Sequence, residues 1–398
     1  MTRPRVLFVG STRYALPLRE GLQRKFDALE RELDYRVLAR GEPERSENGR
    51  FELIPPARRP ALDGPLFYLR LPFRVARAIR LHRPEAVLAE DPHAAAAVLL
   101  ASRLVRARRP PLIVEIHGNW RLGTRLYGSS ARRLLAPLTD AVDRMAVRRA
   151  DAVRALSPYT QGLVREVRGR PADAQFPAYL DLSAFSGPRV PLPDRPTALF
   201  VGVLERYKAV DMLAAAWPRV AAEMPDARLV VVGRGPLRRL VDDLGVEHHE
   251  QLSPSEVAAR MDDSWVLVLP SRGEGLPRVV IEAFARGRGV VGSRAGGIPD
   301  LVRDGREGLL VDLEDAEGLA RALVRTLSHR ALVERFGEAA ARRFDEWRAT
   351  PEDFARRMRE LVDATLGADS AAPPSGRRTA PGVRLKWPID TYRKSRRS

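Results

Sequence analysis

Short apolar runs alternate along this chain with longer stretches in which apolar positions recur at helical spacing. Val6–Val9, Ala86–Ala89, Leu112–Ile116 and Ala152–Ala155 are the runs of the first half; Thr197–Val201, Leu229–Val232, Trp265–Leu269, Gly289–Gly292 and Gly308–Val311 follow in the second. Runs of this length read as strands buried on both faces. Strand, helix, strand repeated in this way predicts an α/β protein with two doubly wound parallel sheets. Between the halves, Gly187 to Pro196 contains Pro188, Pro191, Pro193 and Pro196, too many for a helix or a central strand. The expected organisation is a first domain over residues 1–185, a linker over 186–196 and a second domain over 197–345. A C-terminal helix over 346–366 is expected to pack back toward the first domain, ahead of a basic, disordered tail over 367–398.

Open α/β sheets bind ligands beyond the C-terminal ends of their strands, so the strand-end loops are where chemistry is sought. After Trp265–Leu269 comes Gly273-Glu274-Gly275-Leu276-Pro277-Arg278, with Glu282 eight residues beyond Glu274. Pro277 suits a helix opening because its missing N–H has no partner there. Glu274 then sits in a turn and Glu282 inside a helix whose N-terminus, with free N–H groups and the positive dipole end, suits a phosphate. Carboxylates beside such a site accept hydrogen bonds from sugar hydroxyls. The bland alternative is a dipole partner and a solvated helix residue. Two further loops share the strand, glycine, helix layout. In Gly202-Val203-Leu204-Glu205-Arg206-Tyr207-Lys208, Gly202 lets a ligand approach the backbone while Arg206 or Lys208 reaches a diphosphate; the other loop is Gly233-Arg234-Gly235.

In the first half, Glu115-Ile116-His117-Gly118-Asn119 ends one strand and Glu90-Asp91-Pro92-His93 another. Glu115 lies on the strand face of His117, to orient it or to pair with a helix arginine; Asp91 reads as an acceptor contact or a helix cap. The first loop, Gly10-Ser11-Thr12-Arg13, lacks the G-x-G-x-x-G fingerprint, which argues against a nucleotide-dependent oxidoreductase.

Composition sharpens this only in places. The 398 residues include no cysteine, which excludes thiolate chemistry and a disulfide framework. The net charge of +17 is uneven: residues 1–185 hold 33 basic against 20 acidic side chains, whereas residues 186–366 hold 27 against 29. No aromatic stacking platform accompanies the basic excess, so nucleic acid is not the expected partner. Val6–Val9, which follows Met1 closely, is too short an apolar stretch for a signal peptide, and no later segment approaches membrane-spanning length, so neither is expected. A cytoplasmic protein, at most peripheral at the inner face of a membrane, is expected. The stretch Pro65–Leu81, where Arg70, Arg74 and Arg77 recur beside large apolar residues in a pattern that Pro72 interrupts, is the candidate face for an anionic membrane, against an ordinary helix covering the first sheet with its arginines in water.

Taken together, the three loops of the second half and the segments Ser293–Asp300 and Asp304–Val311 resemble the retaining glycosyltransferases of family 4, which have the GT-B fold of two Rossmann-like domains facing a central cleft. The resemblance covers roughly residues 5–365 and is strongest from Ala198 to Asp312. It implies transfer of a sugar from a nucleotide-diphosphate donor to a glycan or lipid-linked acceptor, in polysaccharide or glycolipid synthesis. By the resemblance, Glu274 contacts the transferred sugar, Glu282 the ribose and Lys208 the diphosphate. Gly233 and Gly235 lie by the nucleoside, and Gly275 and Leu276 complete the donor turn. His117 matches the family's histidine near the sugar; Gly10, Glu90, Asp91, Glu115 and Asn119 are left to the acceptor side. The family's Gly-Arg-Leu reads Gly202-Val203-Leu204 here, so the usual arginine is missing, with Arg206 as the candidate substitute. No metal and no other cofactor are expected, since the chain has no Asp-x-Asp motif. A GT-B relative without transferase activity, an epimerase or a binding scaffold, is the alternative.

Overall fold

The computed structural model describes residues 2–42, 49–105, 109–121 and 130–370. Among these, the chain forms two compact units, the first from residues up to 121, 130–179 and those from 349 on, the second from residues 180–348. The expected tail beyond residue 370 lies outside the described residues.

In the first unit the strands are β1 (Arg5–Tyr14), β2 (Asp34–Gly41), β3 (Phe51–Ile54), β4 (Ala86–Ala89), β5 (Leu112–Ile116), β6 (Ala152–Ala155) and β7 (Ala174–Gln175). They form a parallel sheet in the order β3-β2-β1-β4-β5-β6-β7. The order reverses between β1 and β4, which puts the crevice for a ligand at their C-terminal ends. Every residue of β4, β5 and β6 is buried, as expected where helices cover both faces. Those helices are α1 (Glu20–Glu32), α2 (Pro60–His82), α3 (Pro92–Leu104), α4 (Ser130–Arg149) and α5 (Pro158–Arg168). As in the covering-helix reading, α2 is a helix over this stretch, and it runs unbroken through Pro65 and Pro72. A proline inside a helix costs about 3 kcal/mol, and the burial of Phe67, Leu71, Val75, Ala78 and Ile79 on the sheet outweighs it.

The second unit has β8 (Thr197–Val201), β9 (Arg228–Val232), β10 (Glu247–His249), β11 (Val266–Leu269), β12 (Gly289–Ser293) and β13 (Gly308–Val311), ordered β10-β9-β8-β11-β12-β13 and again parallel. Its helices are α6 (Val210–Glu223), α7 (Arg238–Asp242), α8 (Pro254–Asp262), α9 (Arg278–Ala285), α10 (Ile298–Leu301), α11 (Ala316–Leu327) and α12 (Arg330–Phe344). The final helix, α13 (Pro351–Ser370), belongs to the first unit, where Phe354, Met358 and Leu361 pack with Phe26 and Leu29 of α1. It extends through Gly367–Ser370, which the sequence had assigned to the tail.

The proline-rich connection is part of the second unit and is held there by two buried arginines. Arg286, just beyond α9, donates to the carbonyls of Gly187 and Pro188 at 2.9 Å each and pairs with Asp262 at 2.6 Å. Arg288 donates to Val190 O at 3.2 Å and to Met261 O at 2.9 Å. A segment whose prolines lack donors leaves carbonyls to be satisfied, and guanidinium forks do so here.

Candidate functional site

In the second unit three loops meet at the C-terminal ends of β8, β9 and β11. Gly202 closes β8 and Gly233 closes β9; a Cβ on Gly233, whose φ is +153°, would lie 1.8 Å from Gly202 O, so only glycine lets these loops touch. Gly235 makes the same close approach to Leu204 O, and Leu204 N–H donates to Arg234 O at 2.9 Å. The chain then makes a 3-10 turn over Arg206–Lys208 and enters α6 through Ala209, at φ 51°. That left-handed geometry costs a non-glycine residue about 1–2 kcal/mol, and it turns Lys208 inward, where it is 9 % exposed.

Lys208 Nζ donates to Glu274 Oε1 at 2.6 Å, and Ser271 Oγ donates to the same oxygen at 3.1 Å. Glu274 is fixed from behind as well: Gly297 N–H donates to its carbonyl at 2.8 Å, and a Cβ on Gly296 would lie 2.2 Å from that carbonyl. The Gly273–Pro277 turn leads into α9 with Pro277 as N-cap. Glu282 lies one turn inside, half-buried, with no hydrogen bond to its carboxylate among the described residues. Burial pushes its carboxyl above the ordinary value, against the opposing pull of Arg278 and Lys208. A carboxylate so placed keeps its acceptor capacity for a ligand. Gly275 and Leu276 lie in the turn between the two glutamates.

Arg272, which sequence reasoning missed, ties these loops together. Its N–H donates to Tyr207 O at 2.7 Å, while its guanidinium holds Asp211 of α6 at 2.8 and 2.9 Å and Glu314 at 2.5 Å. No local signal marks it, because its partners lie 61 and 42 residues away. Val203, where the family arginine is missing, is 40 % exposed. Arg206 is exposed, and its guanidinium makes no ion pair among the described residues.

In the first unit, His117 follows β5 and its Nε2 lies 3.0 Å from Glu115 Oε2. The other oxygen of Glu115 binds Arg154, its register partner on β6, so the arginine is a strand residue and not a helix one. Burial alone would push the Glu115 carboxyl up, but Arg154 and His117 outweigh it and hold it at about 2. Arg154 is 1 % exposed, and its Nε and Nη2 have no hydrogen-bond partner among the described residues; its guanidinium stacks on Phe176, 4.2 Å from the ring centroid.

The remaining acceptor-side candidates are largely engaged within the protein. Asp91 caps α3 through Ala94 N–H at 2.7 Å and takes Ser11 Oγ at 3.2 Å. Glu90 accepts from Thr12 Oγ1 at 2.7 Å, and a Cβ at Gly10 would strike it at 1.9 Å, so Gly10 makes room for Glu90. Asn119 Oδ1 accepts from Arg121 N–H at 3.1 Å. Beside them lies a pair that sequence reasoning did not single out, His93 Nδ1 to Asp143 at 2.8 Å, with Tyr68 against the His93 ring.

Two family models tile this architecture: a glycosyl transferase 4-like domain matches residues 9–177, and glycosyl transferases group 1 matches residues 195–329. The chain belongs to the family 4 glycosyltransferases. Over 211 residues it is 33 % identical to the GDP-mannose-dependent alpha-(1-6)-phosphatidylinositol monomannoside mannosyltransferase of Mycolicibacterium smegmatis, covering 46 % of this chain and 55 % of that protein. It is 33 % identical over 231 residues to the D-inositol 3-phosphate glycosyltransferase of Streptomyces avermitilis, covering 54 % of this chain and 48 % of the relative. The chain thus spans about half the length of the curated relatives it matches. Among solved structures, sucrose-phosphate synthase from Thermosynechococcus elongatus superposes with a TM-score of 0.72 at 21 % identity, over 92 % of this chain and 100 % of that one. Anabaena HepE in complex with UDP-glucose superposes with a TM-score of 0.65 at 17 % identity, over 92 % and 100 %. At such identities the likeness is one of fold, the GT-B fold, and this family 4 member has both of its Rossmann-like domains.

Proposed function

We propose that this glycosyltransferase moves a sugar, with retention at the anomeric carbon, from a nucleoside-diphosphate donor to a hydroxyl of a glycan or lipid-linked acceptor. The observation that supports the reading best is the meeting of Lys208, Glu274 and the unpaired Glu282 carboxylate at the start of α9. In this reading the leaving diphosphate develops negative charge facing Lys208, Arg206 and the first N–H groups of α9, a preorganised positive field. Glu274 exchanges its ion pair for sugar hydroxyls, Glu282 accepts from the ribose, and the donor phosphate takes the acceptor's proton in a same-face attack. His117, steadied by Glu115, contacts the transferred sugar. Because protein cations meet the phosphate charge, no metal is needed and transfer survives excess EDTA. The names of the relatives, which include a GDP-mannose-dependent enzyme and a structure with UDP-glucose, support a nucleotide-sugar donor.

Peripheral attachment of the first unit to an anionic membrane is the second part of the reading. Among the described residues no helix is long and apolar enough to cross a membrane. However, Leu69 and Phe73 on α2, Leu100 on α3, and Leu134 and Leu138 on α4 are all at least half exposed on helices that pack side by side. Arg70 and Arg103 stand exposed beside them. A thermal-shift panel of UDP-, GDP- and ADP-sugars, followed by transfer assays with and without EDTA, tests the donor reading. Saturating donor at a hundred times its Kd stabilises by about 2.7 kcal/mol. No shift with any nucleotide sugar overturns it, and magnesium-reversible loss of activity overturns the metal-free mechanism.

A further inference from the structure

One cationic cluster has no part in the sites above. In the parallel pairing of β1 with β2, Arg13 stands opposite Arg40 at the C-terminal ends of both strands. Neighbouring strands lie about 4.8 Å apart, and register partners point to the same face, so the two guanidiniums need an anion between them. Asp63 of α2 supplies it. Arg40 Nη2 lies 2.6 Å from Asp63 Oδ2, Arg13 binds the same oxygen, and Ala57 N–H donates to Oδ1 at 2.9 Å. Those contacts hold the Asp63 carboxyl below the ordinary value, the Ala57 bond first and then, against its burial, Arg40 and Arg13.

One carboxylate therefore faces two arginines, and Arg58 and Arg59 follow Ala57 directly, both exposed and without a side-chain ion pair among the described residues. A purely structural tie between β1, β2 and α2 is met by Arg40, whose side chain is 17 % exposed and lies over Phe67. Arg13 is not needed for it. At 63 % exposure Arg13 contributes little to stability, since exposed pairs are worth about 0–1 kcal/mol. What remains is unneutralised guanidinium charge at the strand ends, where α/β sheets take ligands, and paired guanidinium forks match phosphate oxygens.

We propose that Arg13 and Arg58, with Arg40 behind them, receive a phosphate group carried by the acceptor substrate, a phosphate mono- or diester that is either soluble or a lipid headgroup. The assignment rests on the transferase reading above and specifies the acceptor class for it.

The test uses the full chain with two probes: glycerol 3-phosphate by calorimetry, and co-sedimentation with phosphatidylglycerol-containing vesicles against phosphatidylcholine alone. Arg13→Gln/Arg58→Gln is compared with a charge-matched control on the second unit, Arg321→Gln/Arg342→Gln. At least one probe is expected to bind the wild type, to lose tenfold or more in affinity with the first double variant, and to be unchanged in the control. The arm that responds names the source of the phosphate. Binding of neither probe, or equal loss in both double variants, overturns the site. Arg58→Gln alone, which removes no ion pair seen among the described residues, repeats the comparison if the double variant is unstable. Nucleotide-sugar binding is measured in parallel. If it persists while both probes fail, only the acceptor class falls; if it fails while Arg13-dependent phosphate binding persists, the transferase reading falls instead.

Discussion

Lys208 Nζ lies 2.6 Å from Glu274 Oε1, so the residues assigned to the diphosphate and to the sugar of the donor form one ion pair. Each neutralises the other, and each presents its remaining hydrogen-bonding capacity to the same strand-end crevice. Substitutions should separate the two roles. Lys208→Ala is expected to raise the donor KM and lower kcat/KM by one to two orders of magnitude, since a charge-assisted hydrogen bond is worth about 1.5–3 kcal/mol. Glu274→Gln is expected to lower kcat more than it raises KM. Steady-state kinetics with varied donor check both, and near-wild-type kcat/KM in the two variants would remove the donor-site assignment.

Glu282 combines a proposed binding role with a cost in stability. Burial raises its carboxyl above the unfolded value, so the folded protein holds its proton to higher pH than the unfolded chain does. Stability from this residue is therefore lost as pH rises from the ordinary carboxylate range through the raised folded value. Glu282→Gln is expected to melt higher than wild type at about pH 7, to show no such advantage at about pH 4, and to transfer sugar poorly. An unchanged melting temperature at both pH values counts against the electrostatic reasoning, and unimpaired transfer counts against the ribose contact.

The Glu115–Arg154 pair carries the opposite sign. With the folded carboxyl held at about 2, its stabilisation is present above the unfolded value and disappears as pH falls from there toward 2. Glu115→Gln leaves Arg154 buried without its anion, a change that costs about 3–5 kcal/mol in buried pairs. Urea denaturation across pH should show the variant less stable near neutrality and the difference shrinking in acid. A pH-independent difference would mean that the loss comes from packing alone.

The proposed membrane attachment rests more on the apolar side chains than on the spacing of Arg70, Arg74 and Arg77. Arg74 and Arg77 both lie near Glu52, at 3.3 and 3.7 Å, which offsets part of their charge. Phe73→Ser/Leu134→Ser is expected to reduce co-sedimentation with anionic vesicles at physiological salt by more than tenfold. Each large side chain moved into an apolar phase contributes about 1.5–3 kcal/mol, against about 1 kcal/mol for a basic residue at the surface. Transfer to a soluble acceptor should be unaffected. Equal sedimentation of variant and wild type would discard this face.

The local pattern determined the elements whose residues are apolar throughout. β4, β5 and β6 are where the runs put them, and the glycine loops lie at strand ends because glycine there has no local substitute. β2 and β10 were invisible: Asp34–Gly41 mixes charges into a half-covered strand, and Glu247–His249 has no apolar residue. Only the tertiary structure decided which charge meets which. Arg154 finds Glu115 across 39 residues through strand register, and Arg286 reaches the Gly187 carbonyl across 99. The arginine-rich sequence offers many cations of equal local standing, and a side chain's spacing does not record what packs above it. Register and burial choose the partner, since a buried charge is stable only where an anion or a set of carbonyls is already in place.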